Sequence, residues 1–181
     1  MVQALVVIDV QNEYVTGGLP IVHPPVEEAL GRIGAAMDAA AAAGLPIVLV
    51  RHTEPDPTAG VFVAGTPAWQ LHDDVVMRAH DVVVDKGLPG AFTGTDLETW
   101  LRDHGVDSLV VAGWMTHMCV DTTTRQAMHR GFEVTVLEDA TGTIDVSDDL
   151  PAALVHRVEL GILADGFARV STTAAWTAEV S

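Results

Sequence analysis

The strongest constraint on this chain is that its apolar runs do not alternate. Residues 4–8 read Ala-Leu-Val-Val-Ile, residues 46–50 Pro-Ile-Val-Leu-Val, residues 82–84 Val-Val-Val and residues 109–112 Leu-Val-Val-Ala. A strand with one wet face carries a polar residue at every second position, whereas a strand covered on both faces carries none. Segments with helical spacing fall between the runs. Residues 26–43 are Ala-rich and closed by Gly44. Residues 95–104 open on Thr95 and Glu98, spaced as a capping box, and stop at Gly105. Residues 120–129 stop at Gly131, and residues 147–162 place Pro151 near a first turn. Further strands are expected at 132–137 and 167–170. This alternation predicts a single α/β domain over residues 1–181, a doubly wound sheet of about six mostly parallel strands with helices on both faces. The 49% hydrophobic content is enough to fill both layers.

Bulk composition removes several function classes. A formal net charge of −16 argues against nucleic acid, whose phosphates are held by clustered Lys and Arg. No 18-residue apolar stretch and no charged-then-apolar leader are present, so neither a membrane span nor a signal peptide is expected. A single cysteine cannot form an intrachain disulfide and fits a reducing cytoplasm.

Three singular residues share one edge of the predicted sheet. Asp9 interrupts the first apolar run near its C-terminal end, where a buried carboxylate is costly unless it has a task. Lys86, the one lysine among nine basic residues, ends the third strand. Cys119 follows the fourth strand and a short turn, ahead of the 120–129 helix, whose N-terminus favours a thiolate. Ligands of open parallel sheets sit beyond the strand C-termini, at the switch point. An acid, an ammonium and a thiol gathered there describe nucleophilic catalysis.

The same residues lie in motifs that resemble a known family. Leu5-Val6-Val7-Ile8-Asp9-Val10-Gln11-Asn12, Val84-Asp85-Lys86, Gly113-Trp114-Met115-Thr116-His117-Met118-Cys119-Val120 and Thr122-Thr123-Thr124-Arg125 together look like an isochorismatase-like cysteine hydrolase, the group that includes nicotinamidases and N-carbamoylsarcosine amidases. The resemblance covers nearly the whole chain. It implies an Asp9-Lys86-Cys119 triad, a non-proline cis peptide at Trp114–Met115, and an oxyanion hole built from the backbone N–H groups of Met115 and Cys119. It also implies hydrolysis of an amide-type C–N bond through a Cys119 thioester, with Lys86 lowering the thiol pKa, and a dimer or tetramer. True isochorismatases resemble the family but lack the cysteine, so Cys119 argues against vinyl-ether hydrolysis. A catalytically idle binding or assembly domain of the same fold is the other alternative.

Asn12, Tyr14, His52, Trp69, Phe92 and Trp114 are the candidate pocket-wall and substrate-binding residues. The long irregular loop over residues 52–69, rich in Pro and Gly, is expected to be functional. His52 and Glu54 do not match the Asp-x-His spacing of metal-containing nicotinamidases, so no metal and no cofactor are expected. His117 is assigned to the pocket or a subunit contact, and Arg125 to bracing its helix.

Overall fold

The computed structural model describes residues 2–180. The strands β1 (Gln3–Ile8), β2 (Ile47–His52), β3 (Val82–Lys86), β4 (Ser108–Trp114), β5 (Glu133–Gly142) and β6 (Arg169–Ser171) form one sheet in the order β3-β2-β1-β4-β5-β6. Every neighbouring pair is parallel. The unbroken apolar runs have the expected cause. Leu5 and Val7 of β1, with Val110 and Ala112 of β4, point into one core, while Ala4, Val6 and Ile8, with Leu109 and Val111, point into the other.

The first core is covered by α1 (Val26–Ala42), α2 (Asp73–Val76) and α6 (Thr173–Val180). Helix α1 buries Ala29, Leu30, Ile33, Ala36, Met37 and Ala40, a stripe at helical spacing, and sets Glu27 and Glu28 in its first turn against the positive end of the dipole. The second core is covered by α3 (Leu97–Asp103), α4 (Asp121–His129) and α5 (Ala152–Gly166).

Several boundaries differ from expectation. β5 continues to Gly142 through what reads as a polar loop, because Thr141 and Gly142 pair with Gly113 and Trp114 beyond a register shift. Helix α5 begins at Ala152 instead of Ser147; Asp145 Oδ1 accepts the Ala152 N–H at 2.7 Å and supplies the cap from outside. The capping box at α3 does not form, since Glu98 turns to Arg130 Nε at 3.0 Å and Thr95 donates to the Ala91 carbonyl. Helices α2 and α6 had no clear sequence signal. Residues 69–72, which could read as a helical turn, form none; Leu71 instead makes an isolated antiparallel bridge with Gln11.

The chain runs from β1 outward to β3, then returns to the other side of β1 as β4. The two strands at this reversal are held unusually close. Gly113 of β4 sits opposite Ile8 with φ +109°, and a Cβ there would fall 2.6 Å from the Ile8 nitrogen. Only glycine fits.

Candidate active site

β1 ends at the reversal, and the next residue, Asp9, takes φ +52°, a left-handed conformation uncommon outside glycine. Its N–H still bonds to the Val50 carbonyl at 2.9 Å, so the strand is tied down while its continuation swings away. Two residues on, the buried Gln11 side chain clamps β2. Its Oε1 accepts the His52 N–H at 2.8 Å, and its Nε2 donates to the carbonyls of His52 at 2.9 Å and Trp69 at 2.7 Å. The register of β2 with β3 sets His52 beside Lys86.

β4 supplies the nucleophile. The Trp114–Met115 peptide bond is cis. Beyond it, Thr116–Val120 winds as a single π-turn before α4, a geometry frequent at functional sites. Cys119 therefore lies inside the π-turn, two residues before α4. Two crossed pairs pin this turn: Thr116 Oγ1 lies 2.9 Å from His156 Nδ1, and His117 Nδ1 lies 2.5 Å from Thr143 Oγ1. His156 Nε2 is 3.1 Å from the Glu138 carbonyl, which can only accept. The proton of His156 thus sits on Nε2, and Thr116 donates to Nδ1. Burial holds His156 down at about 4, so it is neutral at physiological pH.

Asp9, Lys86 and Cys119 meet at this edge. Lys86 Nζ is 2.7 Å from Asp9 Oδ2 and 3.3 Å from Cys119 Sγ. The pair is sealed from solvent, with both side chains 0% exposed, and Cys119 as a residue is 6% exposed. Oδ2 is committed to the ion pair, and the Cys119 side chain is the other hydrogen-bonding neighbour of the carboxylate. Burial raises the Asp9 pKa above the usual carboxylate range, and Lys86 is the main influence opposing it. Burial, followed by the Asp9 charge, pushes the Cys119 thiol up to about 12, with Lys86 acting the other way. The expectation that Lys86 lowers the thiol pKa holds for the sign of its influence but not for the net result. Lys86 does favour the thiolate, but desolvation and the neighbouring carboxylate outweigh it, so the sulfur holds its proton until a base removes it. Asp9 is the adjacent base.

The six expected wall residues divide. His52 reaches the triad, and Tyr14 is buried near enough to feel the Asp9 charge. His52 Nδ1 lies 3.3 Å from Lys86 Nζ, and burial, followed by the Asp9 charge, holds the Tyr14 phenol well above its ordinary range. The other four are fixed by other neighbours. Asn12 Nδ2 donates to the Pro67 carbonyl at 3.0 Å and anchors the loop. Trp69 is locked by its Nε1 bond to Thr53 Oγ1 at 2.8 Å and by the Arg51 guanidinium 3.9 Å over its ring. Phe92 packs on Phe132 with centroids 5.9 Å apart. Trp114 is fully buried, edge-on to Tyr14 at 5.8 Å, with no partner for its indole N–H among the described residues. Glu54, weighed as a cation ligand, accepts the Asp56 N–H, and Arg125 braces α4 to α5 through Asp121 at 2.6 Å and Glu159 at 3.2 Å.

Gln11, Glu13, Thr116, Thr143 and His156 escaped sequence reasoning as site supports. A buried glutamate at position 13 accepts the Gly18 N–H at 2.5 Å and the Phe62 N–H at 3.4 Å, joining two loops beside the cleft. The Gln11-Asn12-Glu13 run of amides and acid after an apolar strand was the available signal. No signal pointed to His156, which lies 40 residues from its partner. An open hollow of about 470 Å³ lined by Pro24, His156, Arg157, Leu160 and Val170 among others contains no triad residue.

Comparisons with known proteins agree with this architecture. A solved structure from Burkholderia xenovorans LB400 bearing the isochorismatase name is 46% identical, with a TM-score of 0.94 over 98% of this chain and 86% of its own. The secreted isochorismatase effector Isc1 of Verticillium dahliae (strain VdLs.17) is 37% identical over 90% of this chain and 84% of its own length. Nicotinamidase 3 of Arabidopsis thaliana is 30% identical over 92% of this chain and 83% of its own. The family so named consists of hydrolases, amidases among them. Residues 3–175 match the isochorismatase domain, and the chain belongs to the isochorismatase family.

Proposed function

We propose that this protein is a cysteine hydrolase that cleaves an amide-type C–N bond of a small molecule. One observation carries the reading: a single ammonium, Lys86, lies within 3.3 Å of both a buried carboxylate and the chain's one thiol. Asp9 takes the thiol proton as Cys119 Sγ attacks the substrate carbonyl. Lys86 stabilises the negative charge as it leaves the carboxylate and appears on sulfur. The backbone N–H groups of Met115, just before the π-turn, and Cys119, within it, receive the oxyanion. Asp9 then hands its proton to the departing amine, leaving a Cys119 thioester. Water, deprotonated by Asp9, attacks the thioester and releases the acid with the thiol restored.

The near-complete burial of the sulfur restricts the substrate to a slender end able to reach it. A dimer or tetramer in a reducing cytoplasm is the expected setting, and both small-amide binding and self-association belong to this proposal. The test is ammonia release from a panel of small amides by the parent protein and by Cys119→Ala. We expect turnover by the parent and none by the variant, with unfolding unchanged. Hydrolysis retained by Cys119→Ala would end the thioester mechanism. A parent inactive on every amide and inert to iodoacetamide would favour the idle binding domain.

A further inference from the structure

We propose that His52 is a positioning residue for Lys86: its Nδ1 accepts the third ammonium hydrogen and so fixes the direction in which Lys86 presents its charge to Cys119. The inference rests on the reading of Lys86 and Cys119 as catalytic partners. An ammonium has three N–H donors and no acceptor. Lys86 Nζ has three polar neighbours, Asp9 Oδ2 at 2.7 Å, Cys119 Sγ at 3.3 Å and His52 Nδ1 at 3.3 Å. Since lysine only donates, Nδ1 must be the unprotonated nitrogen, and the ring proton sits on Nε2, which has no protein partner among the described residues.

The surroundings hold the imidazole in that role. Gln11 grips the His52 backbone from both sides, and the ring stands edge-on to Phe62 at 5.2 Å and 87°. Phe62 is itself tied through its N–H to the buried Glu13. The charged groups that influence His52 are Lys86 from β3, Asp9 beyond β1 and Glu54 beyond β2. Burial, then Lys86, lowers its pKa, so the ring is neutral and able to accept. Without the third acceptor, the flexible lysine side chain could satisfy Asp9 alone and turn away from the sulfur.

Two substitutions separate an acceptor from a filler. His52→Phe keeps a ring against Phe62 and removes the acceptor. His52→Asn removes the ring and places an amide oxygen where Nδ1 was. The readout is the rate of Cys119 alkylation by iodoacetamide across neutral to alkaline pH, which needs no substrate, with thermal unfolding confirming the fold. We expect His52→Phe to react ~10-fold more slowly at a given pH, equivalent to about one pKa unit on the thiol, and His52→Asn to stay within about 2-fold of the parent. A Phe variant as fast as the parent, or an Asn variant as slow as Phe, overturns the proposal. Alkylation that depends on His52 without turnover of any amide would leave the positioning role standing and remove the proposed reaction. Turnover together with alkylation indifferent to His52, or with a parent thiol that never reacts, would do the reverse, and a parent thiol that never reacts in a protein that turns over no amide would overturn both.

Discussion

Replacing Lys86 by methionine tests the electrostatics of the site through stability alone. The ammonium and the Asp9 carboxylate are 2.7 Å apart and 0% exposed, so removing the cation leaves a buried charge with no partner. Breaking such a pair costs ~3–5 kcal/mol. The structure also predicts how that cost varies with pH. Burial already raises the Asp9 pKa, and Lys86 is the principal influence holding it down, so Lys86→Met moves the native value higher still. A carboxyl whose native pKa exceeds its unfolded value binds protons more tightly when folded, and stability falls as pH rises between the two values. The slope there is about 1.4 kcal/mol per pH unit. The deficit of Lys86→Met should therefore be small near pH 5, grow toward neutrality and level off once Asp9 ionises in the folded variant. Urea unfolding of parent and variant between pH 5 and 8 measures it directly. Asp9→Asn/Lys86→Met should recover most of the loss, because no charge is left unpaired. A deficit below ~1 kcal/mol throughout, or one that does not change with pH, would refute the assignment of a sealed ion pair.

Other expectations follow from the same geometry. Gly113→Ala should destabilise by ~4 kcal/mol or more, seen as a collapse of soluble yield or a large fall in the urea midpoint, since the added methyl meets the Ile8 backbone at φ +109°. Because Asp9 must be ionised to act as base and burial raises its pKa, kcat/KM should be lost on acidification at a pH above the ordinary carboxylate range; an acid limb near 3.8 would contradict it. Thr116→Val strands the Nδ1 of the buried His156 and should cost ~1–3 kcal/mol, with kcat falling more than KM changes; unaltered kcat would show that the pair does not hold the nucleophile turn. Light scattering of the purified protein tests the expected dimer or tetramer, and a monomer at working concentration would remove it.

The sequence carried the fold because its constraint was local. Residues buried on both faces of a strand must all be apolar, and that shows in β1, β2 and β4 without any partner in view. Asp9, Lys86 and Cys119 were visible because each is a costly or singular residue at the C-terminal end of such a run. Elements set by distant partners were not visible. Residues 139–142 look like loop, yet become strand because β4 offers a ladder beyond its bulge. Trp69 and Phe92 read as pocket wall, but the contacts with Thr53, Arg51 and Phe132 that fix their rings come from residues distant in the chain.

Residue order alone determined the layered sheet, the edge where chemistry gathers and the three groups that gather there. The folded arrangement alone decided their protonation. Whether a thiol ionises depends on how much water burial removes and which charges stand within a few ångströms. Here a sealed pocket and the Asp9 carboxylate outweigh Lys86. The crossed histidine and threonine supports, drawn from β5, α5 and the loop after β5, likewise exist only once the sheet has brought them to the cysteine's turn.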